Sequence, residues 1–217
     1  MTLPLDTTRR RAPDERPQQI LDAALAVFDE EGLDRARLDD IARRAGVAKG
    51  TIYLYFPNKE ELFREVVRQT IGSRLEAARG RVAAAPERSA EDQLCTYMRD
   101  WWDFLRTPST LAVYRLVIGE LHRFPELAAF YLEEVVKPAR AFVSGLIARG
   151  IERGEFRAVD PAATARTFAA LFVGHALWYC KPEMARSVGA EAPEQLFDQL
   201  CDFALHALRP AVGEASR

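Results

Sequence analysis

An all-α fold is what this sequence predicts, and three observations predict it. Apolar residues recur three and four positions apart in one stretch after another. No stretch shows sustained period-two alternation bounded by turn residues, so strand signal is almost absent. Glycine and proline fall between the periodic stretches, where helices stop and start. The count is about nine helices, with no internal repeat and no low-complexity segment.

The elements follow in order. Residues 1–15, with Pro4, Pro13 and the run Arg9-Arg10-Arg11, read as a disordered basic arm, and 209–217 as a disordered tail. The first helix covers about 17–31: Pro17 suits a first turn, Ile20, Leu21, Ala24, Leu25 and Phe28 share a face, and Gly32 stops it. Two short helices follow, about 38–45 and 48–55, with Gly46 between them. Phe56-Pro57 breaks the pattern. Asn58 opens a longer helix as N-cap, with Glu61 three residues on in a capping-box arrangement, and Leu62, Phe63, Val66, Val67 and Ile71 as its stripe. A softer region is expected over about 80–89. Beyond it come helices over about 90–106, 109–123, 126–153, 160–179 and 193–208. Pro138 should kink or restart the third of these. Asp160-Pro161 caps and starts the fourth.

Composition narrows the function. The chain of 217 residues has 48% apolar residues, enough for a full core. Its 30 basic and 32 acidic residues leave a net charge of -2, which excludes a uniformly basic nucleic-acid coat. The longest uncharged stretch, Thr167 to Cys180, is shorter than the roughly 20 residues a bilayer span needs. The N-terminus has no apolar core of a secretory signal. Cys95, Cys180 and Cys201 are odd in number and lack a CxxC, so the expected setting is a reducing cytoplasm with no disulfide framework and no metal site. Nothing electropositive flanks Cys180 or Cys201 closely, which argues against redox sensing. There is no Gly-rich phosphate loop, Ser/His/Asp elbow or metal-ligand cluster, so an enzyme is not expected, nor any cofactor.

Two short helices joined by a tight glycine turn, between longer helices, have helix-turn-helix spacing. Ile41, Ala42 and Ala45 can face inward, Gly46 permits the turn, and Val47 and Ile52 anchor the second short helix. A helix this short is not stable alone, so it is a presented element. From Arg35 to Lys59 there are six basic residues against Asp39 and Asp40, a local excess of four in a chain that is negative overall. Phosphate neutralisation is the source of non-specific DNA affinity.

The run LDDIARRAGVAKGTIYLYFPNKEELF, Leu38 to Phe63, resembles the DNA-binding signature of TetR-type (tetracycline-repressor-like) regulators. The resemblance implies a three-helix helix-turn-helix DNA-binding domain over 16–75, with the motif itself at about 37–56. It also implies a larger helical ligand-binding and dimerisation domain over 76–208. Lys49, Gly50 and Thr51 would begin the recognition helix, where base edges are reached. Leu54, on the same face, could meet a thymine methyl. Tyr53 and Tyr55 would contact phosphate or pack the helix in place, and Lys59 would contact a phosphate. The Thr or Ser cap usual before the first short helix is missing. Arg37 stands there and could supply a longer phosphate contact. Asp39 lies where a relative could place a base-reading side chain, and an acid there would favour cytosine or repel phosphate.

The rest of the chain is dense in aromatics, most of them expected in the core. The resemblance implies that some line a cavity for a small apolar molecule. The candidates are Tyr97, Trp101, Tyr114, Phe142, Phe168, Phe172 and His175. A lone histidine on an apolar helix is also commonly a hydrogen-bonded core residue. Trp101 and Trp102 cannot share a face, so at most one would point to the centre of the bundle and the other would lie at a groove or interface. The last two long helices offer the stripes of a homodimer interface, with Leu171, Ala176 and Tyr179 on one and Phe197, Leu200 and Ala204 on the other. The resulting expectation is a cytoplasmic, homodimeric repressor. A small apolar effector would release it from a near-palindromic operator, the fourth helix swinging as a lever. The rivals are an activator of the same family and a helical adaptor with a vestigial helix-turn-helix. Salt-dependent DNA binding separates the adaptor from the others.

Overall fold

The computed structural model describes residues 16–178 and 192–210. The expected basic arm, Tyr179, Cys180 and residues 211–217 of the expected tail lie outside the described residues. Among the described residues every regular element is helical, in nine continuous stretches. The chain divides after Val66 into two compact units.

The first unit is built on α1 (Arg16–Glu31), α2 (Leu38–Ala45), α3 (Lys49–Tyr55) and the start of α4, Lys59–Val67. α2 buries Leu38, Ile41, Ala42 and Ala45, the spacing of one helical face. Gly46 ends it with φ 69°, the left-handed region that costs glycine nothing. Val47 N–H then donates to Ala42 O at 3.0 Å and Gly46 N–H to Arg43 O at 3.2 Å, a Schellman closure that sets the turn. As expected from Arg37, α2 has no side-chain cap at its N-terminus. Asn58 does cap α4: its Oδ1 accepts from Glu61 N–H at 2.8 Å. Glu61's carboxylate goes to Arg64 at 3.3 Å, the i,i+3 neighbour. Phe28 and Phe63 meet edge to face at 6.0 Å in a core with Ile20, Leu33, Ile41, Ile52 and Leu62.

α4 continues past Val67 through one π turn, Arg68–Gly72, and then Ser73–Ala83. Ser73 explains how the wider turn is tolerated. Its N–H reaches back five residues to Arg68 O, and its hydroxyl takes Gln69 O at 2.6 Å, the carbonyl an α-helix would have paired with that N–H. The helix persists to Ala83, further than the soft region expected from residue 80, because Leu75, Ala78 and Val82 keep one face buried across Gly80.

The second unit adds α5 (Ala90–Leu105), α6 (Pro108–Glu120), α7 (125–152), α8 (Pro161–Trp178) and α9 (Pro193–His206). Ser89 caps α5, accepting from Asp92 N–H at 3.0 Å, and Thr107 caps α6 with Pro108 in its first turn. The irregularity expected from Pro138 is present: a π turn at Leu132–Val136 precedes it, with Lys137 N–H bonded to Leu132 O. Widening the turn shifts bonding in the stretch where Pro138 has no N–H to give. Asp160 Oδ1 accepts from Ala162 and Ala163 N–H at 2.8 and 3.0 Å, the cap the sequence predicts for α8.

Phe172 is fully buried against Trp102 and Phe197, with ring centroids 6.2 Å apart in each pair. Both Trp101 and Trp102 are buried, so the expectation that one of the pair would face a groove or interface gives way to Trp102 in the core and Trp101 beside the cavity. The stripes expected to form a dimer are used inside the chain: Ala176, Phe197, Leu200 and Ala204 are buried without any partner subunit, and Leu171 alone of the described candidates is half-buried. An amphipathic stripe demands burial but does not say against what.

At the end of α7 the backbone turns tightly, with Gly154 at φ 72° and Gly150 O accepting from both Glu155 and Phe156 N–H. The buried Phe156 ring sits against Gly150, where an added Cβ would lie 2.1 Å from Cδ2 and 2.9 Å from Cγ. Gly150→Ala is expected to destabilise by about 1–3 kcal/mol in urea unfolding. Adding Phe156→Leu should recover part of that loss, because the two sites share the clash. Additive losses would contradict this account.

Candidate nucleic-acid interface and ligand cavity

In the first unit, α3 buries one side chain, Ile52, and presents the others. Leu54 is 83% exposed, Tyr53 47% and Tyr55 41%, with Lys49 and Gly50 exposed and Thr51 half-buried. Three large exposed side chains in succession on a seven-residue helix form an apolar patch of the kind that marks interaction sites. A Cβ added at Gly50 would meet nothing within 4 Å, so packing within the chain does not require glycine there.

The charges on this face are partly engaged. Lys49 Nζ donates to Asp39 Oδ2 at 2.8 Å, across the turn from α2, and this bond raises the lysine's pKa. Arg43 pairs with Asp40 at 2.7 Å. Arg44 makes two bonds to the Glu30 carboxylate at 2.5 and 2.7 Å, which raises its pKa and lowers that of Glu30. Arg37 is exposed. Lys59 Nζ donates to Asp34 O at 2.6 Å and Ala36 O at 3.5 Å. It fastens α4 to the loop before α2, a structural duty that its motif position did not announce.

In the second unit a cavity of about 270 Å³ opens among α5, α6, α7, α8 and Leu75 of α4. Tyr97, Trp101, Tyr114 and Phe168 line it, four of the seven candidates. The other three do not. Phe142 packs on Tyr97 at 5.0 Å with Arg79 over its ring, and Phe172 belongs to the Trp102–Phe197 cluster. His175 Nδ1 bonds its own helix at Leu171 O, 2.7 Å away, and its ring lies against Trp178. Sequence reasoning missed Tyr131, Met98 and the aliphatic wall of Val135, Val136, Val143 and Val173. It also missed Arg140, the one charged residue in the lining among the described residues. Aliphatic periodicity could have pointed to the wall, but nothing local distinguishes Arg140 from a surface arginine.

The polar atoms of this cavity are unevenly served. The Tyr114 hydroxyl receives hydrogen bonds from Tyr131 and the Trp101 indole. The Tyr97 hydroxyl and Arg140 Nε are buried without a hydrogen-bond partner. Burial pushes the Tyr97 phenol up to about 12, so it remains a protonated donor. Burial also raises the thiols of Cys95 and Cys201, the latter to about 12, the opposite of the lowered values typical of reactive cysteines. Among the described residues no cluster of three or more His, Cys, Asp or Glu could hold a metal ion, and no helix is long and apolar enough to cross a membrane.

Known proteins match both units. The model of bacterial regulatory proteins, tetR family, matches residues 20–66, and the AefR-like transcriptional repressor C-terminal domain matches 92–209. The uncharacterized HTH-type transcriptional regulator YfiR of Bacillus subtilis is 30% identical over 156 residues, 71% of this chain and 75% of that protein. The fatty acid metabolism regulator protein of the same organism is 29% identical over 145 residues, 66% of this chain and 73% of its own length. The crystal structure of FadR from Bacillus subtilis in complex with stearoyl-CoA superposes with a TM-score of 0.68 at 21% identity, over 88% of this chain and 98% of that one.

Two outcomes are expected from this geometry. Asp39→Asn should free Lys49 and remove an anion from the face. Non-specific DNA affinity then rises, and the slope of log K against log salt steepens by about one contact. An unchanged slope would mean that Lys49 does not meet phosphate. Tyr97→Phe should raise the stability of the ligand-free protein by about 1 kcal/mol in urea unfolding, because it deletes an unpaired buried hydroxyl. A loss of stability would show that the hydroxyl has a partner.

Proposed function

The chain belongs to the TetR family of bacterial regulatory proteins, and from that premise we propose that it is a homodimeric repressor, released from a near-palindromic operator by a small apolar molecule. It is a transcriptional regulator with a DNA-binding helix-turn-helix, and its relatives are regulators, not enzymes. The observation that carries the proposal is the presentation of α3: Tyr53, Leu54 and Tyr55 exposed, with Lys49 at its start, over a single buried anchor. Leu54 suits a thymine methyl and Lys49 a guanine edge or a phosphate. One helix this short reads few base pairs, so two copies a helical turn or more apart are needed to read a site.

The dimer surface we propose differs from the stripes read in the sequence. The inner faces of α8 and α9 are consumed by the core, so the outer faces must serve. These carry Trp178, 45% exposed, Phe203, 66% exposed, and the half-buried Leu171. Beyond Arg166 and Thr167 the helix α8 is apolar on its outer as well as its inner face, which suits a helix covered on both faces there. The effector would occupy the cavity lined by Tyr97, Trp101, Tyr114 and Phe168. Leu75, also in that lining, lies on the helical stretch that begins at Lys59, which offers a covalent route for coupling. The relative described in complex with stearoyl-CoA supports an organic ligand for this fold. The effector acts only through its different affinity for the DNA-competent and released states.

Fluorescence anisotropy against the protein's own upstream DNA tests the reading. Binding should exceed that to scrambled DNA and weaken with salt. Leu54→Ala should reduce the preference for the specific site by about tenfold, a loss of about 1.4 kcal/mol, without changing stability. Phe203→Glu should give a monomer by sedimentation and lose site-specific binding with it. Salt-independent or absent binding to that DNA and to a genomic library would favour the helical adaptor instead.

A further inference from the structure

The cavity wall is almost wholly apolar, yet two of its side chains hold buried polar atoms with nothing to bond: the Tyr97 hydroxyl and Arg140 Nε. Both are N–H or O–H donors. Arg140 cannot shed its charge, and Tyr97 is a fully buried neutral phenol. The other hydroxyls of the wall are accounted for, since Tyr114 accepts from both the Tyr131 hydroxyl and the Trp101 indole. The deficit is therefore an acceptor.

The carboxylates near Arg140 do not supply it. The positions three and four residues to either side, which share its helix face, are Val136, Lys137, Val143 and Ser144. The nearest acids on α7 are committed: Glu134 to Arg68, at 2.8 and 2.9 Å, and Glu133 to Lys137. A buried guanidinium N–H without an acceptor is costly, and native structures keep few such groups. A carboxylate can take Nε–H and a terminal N–H side by side, the geometry that arginine favours.

We infer that the cavity takes an apolar molecule ending in an anion of the carboxylate type, with Arg140 and Tyr97 binding its head group and Val135, Val143, Trp101 and Phe168 its body. The inference rests on the cavity being the effector site and adds the charge that the effector must carry. The volume of about 270 Å³ falls just under the ~300–1,000 Å³ usual for ligand pockets, which points to a small acid with a short chain. The aromatic lining raises the opposite possibility of a quaternary ammonium held on ring faces, and the positive charge of Arg140 argues against it.

Three probes with one tail and different heads decide it: octanoate, 1-octanol and octyltrimethylammonium, titrated by calorimetry into the full chain. Octanoate should bind at least tenfold more tightly than octanol, and the ammonium most weakly. Arg140→Gln should erase the advantage of the acid over the alcohol while leaving alcohol affinity within threefold. Tyr97→Phe should weaken octanoate by about three- to tenfold. Thermal melts of both variants verify folding. Equal binding of acid and alcohol, preference for the ammonium, or an acid advantage that survives Arg140→Gln overturns the inference. Parallel anisotropy with bound DNA separates the two readings. If acid and alcohol bind alike and both release DNA, the effector site stands and the anion requirement falls. If none of the three binds, both fall.

Discussion

A seven-residue helix with one buried side chain cannot hold itself, and the first unit is organised around that fact. Ile52 is all that α3 gives to the core, so its position must be imposed from outside. Gly46 and the Schellman closure set where the helix begins. The Phe28–Phe63 contact joins α1 to α4, and Lys59 pins α4 to the carbonyls at Asp34 and Ala36. With its orientation secured this way, the rest of α3 is released from packing and can carry Tyr53, Leu54 and Tyr55 outward. Exposure of such residues is unfavourable in water for the free protein, and it is sustained because the clamp does not depend on them.

The same economy of contacts shapes the electrostatics. A surface that must meet phosphate cannot be saturated with acids, yet Asp39, Asp40 and Glu30 pair with Lys49, Arg43 and Arg44. These pairs are solvent-exposed, and exposed pairs are weak. A phosphate can therefore compete for Lys49 at small cost. The arrangement moderates non-specific attraction while leaving the cation within reach. In a chain of net charge -2, these cations are concentrated on one face rather than spread over the surface.

What was legible in the sequence follows from where the constraint is local. The helix-turn-helix could be read because each position answers to a nearby steric or capping demand: Gly46 to a positive φ, Ala45 to close approach, Asn58 to an open helix end. The second unit was legible as helices, down to the Asp160 cap and the disturbance before Pro138, but not as faces. From Phe168 onward α8 is apolar on every face, so its sequence does not say that Phe168 borders the cavity while Phe172, one turn on, joins Trp102 and Phe197. The stripe of Phe197, Leu200 and Ala204 was strong evidence of burial, and the partner proved to be the same chain. Arg140 was hidden for the reverse reason. A charge in a helical stretch is ordinarily a solvated one, and only the cavity makes it a wall.

The cavity and the recognition helix are subject to opposite forms of the same rule. α3 exposes apolar groups that would be more stable covered, and the cavity buries polar atoms that would be more stable bonded. Each leaves the isolated chain less stable than it could be, and each deficit is relieved by a different partner. A regulator needs this separation. If a ligand satisfied both deficits in one conformation it would not discriminate between DNA-bound and released states, however tightly it bound. Unpaired donors at Tyr97 and Arg140 lower the stability of the empty state specifically. A ligand that pairs them gains binding free energy, and only the part of it that differs between the DNA-competent and released conformations can shift their balance.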